Sequence, residues 1–176
     1  FSNESEGIIL EDDCVPDTEF LYYSSELLDI YRNDNRIWCI SGSNFQKGIW
    51  RGEASYYFSR YNHCWGWASW RNRWEHYDAK MEDWKTLRDT DFLKSIFNNK
   101  HQVLYWKKIF DDLKYKNYPD SWAYRWTYTC FKNNGLTILP NKNLVNNIGF
   151  GNNATHTKKG KSPTENNHLS LNYKKI

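Results

Sequence analysis

Three consecutive acids, Glu11, Asp12 and Asp13, stand directly after the apolar run Ile8, Ile9 and Leu10. Hard carboxylate oxygens are the preferred ligands of Mg²⁺ and Mn²⁺, and an ion held by them can in turn grip phosphate oxygens. Such an ion neutralises charge as a phosphorylated leaving group departs. Ligands of α/β sheets collect at the carboxyl ends of strands, so acids placed there line a site at little cost to the core. The same triplet reads equally well as a solvated acidic turn, and taken alone it leaves both readings open.

The second group is aromatic. Ten Trp and 13 Tyr help raise the aromatic share to 18%, and the tryptophans cluster at Trp65, Trp67, Trp70 and Trp74, then at Trp122 and Trp126. Flat amphipathic rings stack on the CH-rich face of a sugar and suit mixed polar and apolar pockets. The spacing of Trp67, Trp70 and Trp74 also fits one face of a helix. That spacing assigns Trp70 and Trp74 to core packing. His63, Trp65 and Trp67, at the loop entering the helix, are the candidates for ligand contact.

The elements that must carry these groups follow from periodicity and punctuation. Residues 7–12 read as a strand, followed by a turn at Val15, Pro16 and Asp17. A helix is expected near 18–33, with Asp17 or Thr18 as its N-cap and Glu19 in its first turn. Strands are expected at 36–44 and 55–61, then a helix over 65–78. A short helix over 90–97 with Thr90 as cap precedes a longer amphipathic one over 100–116. Another follows Asp120 and Ser121 and runs through 122–135, closing at Gly135 as a glycine C-cap. Residues 136–140 read as a short apolar strand and 143–157 as an irregular segment rich in Asn and Gly. The alternation predicts an α/β fold with a mixed sheet flanked by helices.

Composition bounds the reading. The 176 residues, 39% hydrophobic and 26% charged, suffice for one domain with a sizeable core. There is no apolar run approaching the ~18 residues of a membrane span. The opening FSNESEG lacks the basic flank and apolar stretch of a secretory signal, so a cytoplasmic setting is expected. Cys14, Cys39, Cys64 and Cys130 form no CxxC pair and read as reduced, mostly buried thiols. The net charge of +3 is concentrated in a polar tail carrying Lys158, Lys159, Lys161, Lys174 and Lys175. That is too little for a nucleic-acid surface, though it suits a phosphorylated ligand or peripheral contact with an anionic membrane.

Several segments together carry a resemblance: the strand ending in Glu11, Asp12 and Asp13, its Pro turn and helix, ISGSNF (40–45), YNHCWGWASWRNRWEHYD (61–78) and NGLTILPNKNLVNNIGFGNNATHT (134–157). They resemble the bacterial nucleotide-diphospho-sugar transferases of GT-A fold, some of them labelled haemolytic-protein-A-like. The eukaryotic N-acetylglucosaminyltransferase I group is more distantly similar. The match covers the chain to about Thr157, and HCWGWASW (63–70) and NIGFGNNATHT (147–157) are its most specific pieces.

The resemblance implies that Asp13 ligates Mn²⁺ or Mg²⁺ directly, while Glu11 and Asp12 hold the ribose, the donor sugar or metal-bound water. It implies that His156 approaches the metal or the donor diphosphate. The expected donor is a nucleotide-diphospho-sugar, a UDP-sugar by preference, the acceptor a glycan or lipid-linked sugar, and the transfer inverting.

Two departures qualify it. Members of the family place a nucleotide-binding βαβ region ahead of the acidic motif, whereas here six residues precede Gly7. Residues 1–157 are therefore expected to be the C-terminal, metal and acceptor portion of such a domain, with the N-terminal half lacking and 158–176 a polar tail. Family members also tend to show Trp-Asp-Tyr-Xaa-Trp where this chain has Trp122, Ala123, Tyr124, Arg125 and Trp126. An inverting transfer needs a carboxylate to take the acceptor proton, which alanine cannot supply. Asp120 is the candidate substitute base, although an acid at a helix start is more often a cap. Arg125 and His63 are candidate contacts for diphosphate or acceptor. Ala123 and the tryptophan clusters also fit a non-catalytic carbohydrate-binding module. A metal-dependent phosphohydrolase ranks below both, for want of a second acidic or His cluster.

Overall fold

Asp17 starts the first helix by accepting a hydrogen bond from the Glu19 amide at 3.0 Å, which satisfies one of the amides a helix start leaves orphaned. In the computed structural model, which describes residues 1–149, that helix is α1 (Thr18–Tyr31), preceded by β1 (Glu6–Ile9) and β2 (Cys14–Pro16). There follow β3 (Ile37–Ser41), β4 (Tyr56–Ser59), β5 (Trp67–Trp70), α2 (Arg71–Trp74), α3 (Trp84–Leu87), α4 (Phe92–Ile96), α5 (Lys100–Lys116), α6 (Trp122–Lys132), β6 (Leu136–Pro140) and β7 (Val145–Asn147). The described residues fall into two units, one of 1–74 and 136–149, the other of 75–135.

The first unit is built on a five-stranded sheet of order β1-β5-β3-β6-β4, and a separate pair joins β2 to β7. β3 and β6 are parallel, while β1 with β5, β5 with β3, and β4 with β6 are antiparallel. β1, β3 and β6 therefore run in one direction and bring their carboxyl ends to the same edge. α1 buries Phe20, Tyr23, Leu27 and Leu28 in a cluster with Ile37, Ile40, Ala68, Trp70 and Ile138. Burying each such side chain is worth about 1.5–3 kcal/mol, so this stripe and not helix propensity holds α1 in place.

The helix expected over 65–78 is absent. Its first half is β5, all four residues buried, registered between β1 (Ile8 opposite Ala68) and β3 (Ile40 opposite Ala68). Burial of all four residues means that both faces of the strand are covered, so Trp67, Ala68, Ser69 and Trp70 form a continuous apolar-leaning run without polar alternation. The helical spacing of Trp67 and Trp70 is thus a coincidence of a central strand, and only Arg71–Trp74 is helical. The turn expected at 15–17 is largely β2, whose partner β7 lies in the segment expected to be irregular. Local pattern is weak in three-residue strands.

In the second unit the packing is aromatic. The Trp84 ring meets Phe110 at 5.3 Å and Tyr128 at 5.9 Å, both edge to face, and Trp106 meets Phe131 at 5.0 Å. Asp83 accepts from the Tyr128 hydroxyl at 2.6 Å and pairs with Lys132 at 2.5 Å. α6 ends three residues before Gly135. The left-handed residue of its exit is Asn134 (φ 53°), and the Gly135 amide donates to the Cys130 carbonyl at 2.8 Å. The N-cap of α4 is Asp91, not the expected Thr90, and it makes no side-chain cap bond; Thr90 stands one residue earlier and accepts from the Phe92 amide at 3.2 Å. Among the described residues no helix is long and apolar enough to cross a membrane.

Candidate functional site

At the carboxyl end of β1 the chain turns within three residues, the Cys14 amide donating to the Glu11 carbonyl at 3.0 Å. The turn folds the acids back on one another, so that ligand atoms of Glu11, Asp13 and Cys14 all lie within 4.8 Å of each other. Asp12 is exposed and outside this group. Strand β7 fixes the far side, its following residue Ile148 donating its amide to the Asp13 carbonyl at 2.8 Å. A methyl group at Gly149 would stand 2.1 Å from Asp13 Oδ2, so only glycine leaves that carboxylate its position.

The donor set fits a hard divalent ion through its oxygens. Burial pushes the Cys14 thiol up to about 11, and the charges of Asp13 and Glu11 push it the same way. Its sulfur hydrogen-bonds Asp13 Oδ1 at 3.7 Å. Sulfur is a soft donor that suits zinc or copper better than Mg²⁺ or Mn²⁺. The two carboxylates of Glu11 and Asp13 are thus the residues that would hold Mg²⁺ or Mn²⁺, leaving other positions for water and phosphate oxygens. Cys64 feels the charges of the same group. Burial pushes its thiol up to about 12, helped by the charges of Glu11, Cys14 and Asp13.

The loop of residues 60–66 reaches this edge because β5 runs antiparallel to β1 and β3 and begins where they end. Its backbone is tied to the end of β3: Ser41 donates its hydroxyl to the His63 carbonyl at 3.4 Å, the Gly42 amide to the Gly66 carbonyl at 2.8 Å, and Ser43 Oγ to the Trp65 carbonyl at 2.8 Å. Gly66 has φ 65°, and a Cβ there would stand 2.6 Å from Val145 Cγ2, which accounts for glycine at this position. Phe45 holds the two candidate rings, meeting His63 at 4.7 Å and Trp65 at 5.4 Å, both edge to face. Burial lowers His63 to about 4, so its imidazole is neutral at pH 7 and serves as a hydrogen-bonding ring, not as a cation for diphosphate.

Trp67 does not sit at a loop. It lies in β5 with 3% of its surface exposed, packed against Trp74 at 5.6 Å. Of the clustered tryptophans, Trp67, Trp70 and Trp126 are buried and Trp65, Trp74 and Trp122 are half-buried; outside the clusters Trp38, Trp84 and Trp106 are buried as well. Asp120 and Arg125 belong to the helical unit. Asp120 is exposed, and the N-cap of α6 is Ser121, not Asp120. Arg125 is buried, its guanidinium donating to Asn117 Oδ1 at 2.5 Å and to the Ser121 carbonyl at 3.3 Å. Those bonds hold the 117–121 connection against the helix and occupy the group expected to meet a diphosphate. Ala123 is half-buried on the same helix, its carbonyl accepting from Thr127 Oγ1 at 3.0 Å. His156 lies outside the described residues.

The sequence marked Cys14 and Cys64 only as reduced, mostly buried thiols. Cys14 follows Asp13 directly, which was the available signal, whereas Cys64 comes under the influence of the acids' charges only through sheet order. The four cysteines are free. No protein-family model and no curated protein matches this chain.

Proposed function

We propose that the chain is part of a metal-dependent glycosyltransferase that moves a sugar from a nucleotide-diphospho-sugar, a UDP-sugar by preference, to a glycan or lipid-linked acceptor. The observation that carries this reading is the gathering of Glu11, Asp13 and Cys14 within 4.8 Å at the carboxyl end of β1. That is the end where α/β sheets bind phosphorylated ligands. The reading also draws on the resemblance of the surrounding segments to GT-A transferases. A bound divalent ion would neutralise the diphosphate as it leaves. Glu11 and Asp13 hold that ion, and Trp65 and His63 on the neighbouring loop offer an aromatic face and a neutral imidazole to the donor sugar or acceptor. Ala123 stands where the resemblance places the acid that takes the acceptor proton.

The runner-up, a carbohydrate-binding module without catalysis, is favoured by Ala123 and by the internal engagement of Arg125. The burial of six of the ten tryptophans removes most of the aromatic surface it would use. Calorimetric titration of UDP with and without Mn²⁺, paired with thermal melts in Mn²⁺ alone, separates the two. The transferase reading expects Mn²⁺ at tenfold its dissociation constant to stabilise the fold by about 1.4 kcal/mol, a gain that Asp13→Ala abolishes while the metal-free protein stays folded. An Asp13→Ala protein that gains as much from Mn²⁺ as the parent would sink it, as would glycan binding indifferent to metal and nucleotide.

A further inference from the structure

The sheet holds one exposed apolar feature with unusual firmness. Between β3 and β4 the chain makes a loop whose tip, Lys47 to Glu53, is exposed throughout, with Ile49 63% and Trp50 47% exposed side by side. Two large apolar residues at a loop tip cost solvation free energy, and a slack loop would fold them inward. This loop is braced against that. At its base the buried Asn44 accepts from the Gln46 amide at 2.6 Å and donates to the Pro140 carbonyl at 2.6 Å. The buried Asn141 accepts from the Arg51 amide at 2.8 Å and donates to the Arg51 carbonyl at 2.8 Å and the Ala54 carbonyl at 2.7 Å. Arg51 spans the loop to Gln46 Oε1 at 2.6 Å and lies 5.6 Å over the Tyr57 ring. The ordering cost of presenting Ile49 and Trp50 is thus met within the fold.

The shape and charge of the tip select its partner. A Cβ placed at Gly48 or Gly52 would meet nothing within 4 Å, so the tip is convex and has no walls to enclose a small ligand. Isoleucine offers a sugar no flat face, which argues against glycan stacking. Lys47 and Arg51 flank the apolar pair, with Glu53 the acid of the tip. An indole and an aliphatic side chain with a cation on either side in sequence match the boundary between headgroups and acyl chains of an anionic bilayer.

We propose that residues 47–51 are a membrane-surface anchor, with Ile49 and Trp50 seated at the headgroup boundary and Lys47 on lipid phosphates. This goes beyond the transferase reading and stands apart from it, because vesicle binding requires neither metal nor nucleotide. The test is co-sedimentation of the full chain with vesicles of phosphatidylcholine containing phosphatidylglycerol, at low and high salt. The parent chain is expected to partition onto them, less so at high salt. Ile49→Ser with Trp50→Ser is expected to weaken partition by about tenfold or more while leaving the thermal midpoint and circular dichroism unchanged. Leu104→Ser, at an exposed apolar position of α5 (53% exposed), is expected to bind like the parent. A parent chain that stays in the supernatant overturns the proposal. So does equal binding by the double variant, equal loss in Leu104→Ser, or binding of neutral oligosaccharides through Trp50 in place of vesicles.

Discussion

His63 gives the sharpest quantitative consequence of the site's geometry. Its ring is wedged edge to face against Phe45, and burial lowers its pKa to about 4 from an ordinary 6.5. In the folded chain it stays neutral down to about pH 4, whereas in the unfolded chain it takes a proton near 6.5. The unfolded state therefore binds more protons across that window, and stability is lost as pH falls from 6.5 towards 4, with nothing further lost below. At 1.36 kcal/mol per pH unit the interval caps the effect near ~3 kcal/mol, and partial exposure of the ring reduces it. His63→Phe keeps a ring against Phe45 and removes the titration. Urea unfolding of parent and variant at pH 7.5 and pH 4 isolates the effect, because every carboxylate titrates in both proteins. The parent is expected to lose about 1–3 kcal/mol more than the variant over this range. A His63 proton resonance titrating near 6.5, or equal losses in both proteins, would refute the reasoning.

The remaining predictions concern what holds the site edge together. Gly66→Ala forces a Cβ to 2.6 Å from Val145 at φ 65°, and is expected to cost about 2–4 kcal/mol in chemical unfolding; a loss below about 0.5 would show that the edge yields easily. Arg73 is buried and donates to the carbonyls of Ile37, Arg32 and Asp34, with its guanidinium 4.9 Å over the Trp70 ring. Arg73→Met leaves those carbonyls without their donor and is expected to destabilise by about 2–4 kcal/mol, measured the same way, and a neutral outcome would mean that water replaces the guanidinium without cost.

Much of the framework was legible in the sequence. Asp17 capping α1, the amphipathic α5 over 100–116 and the apolar strand at 136–140 were all readable, because caps, 3.6-residue periodicity and short apolar runs are local signals. The helix expected over 65–78 failed for the opposite reason. A strand buried on both faces loses its alternation, and Trp67 and Trp70 then imitate a helical face. The pair β2–β7 was invisible because three residues carry no period, and its stability comes from a partner about 130 residues away in sequence.

The site divides along the same line. Composition and the run of three acids determined that hard-ligand chemistry was available at the end of an apolar strand. Only the tertiary structure decided which acids converge, because the turn at Glu11 to Cys14 groups Glu11 with Asp13 and leaves Asp12 outside. It likewise decided that Trp67 is core, that Arg125 is engaged with Asn117 and Ser121, and that the charges of Glu11 and Asp13 act on Cys64. Residue type fixes what a side chain can do in chemistry. Burial, charge and nearness to a partner depend on strands far apart in the chain, and those the fold alone sets.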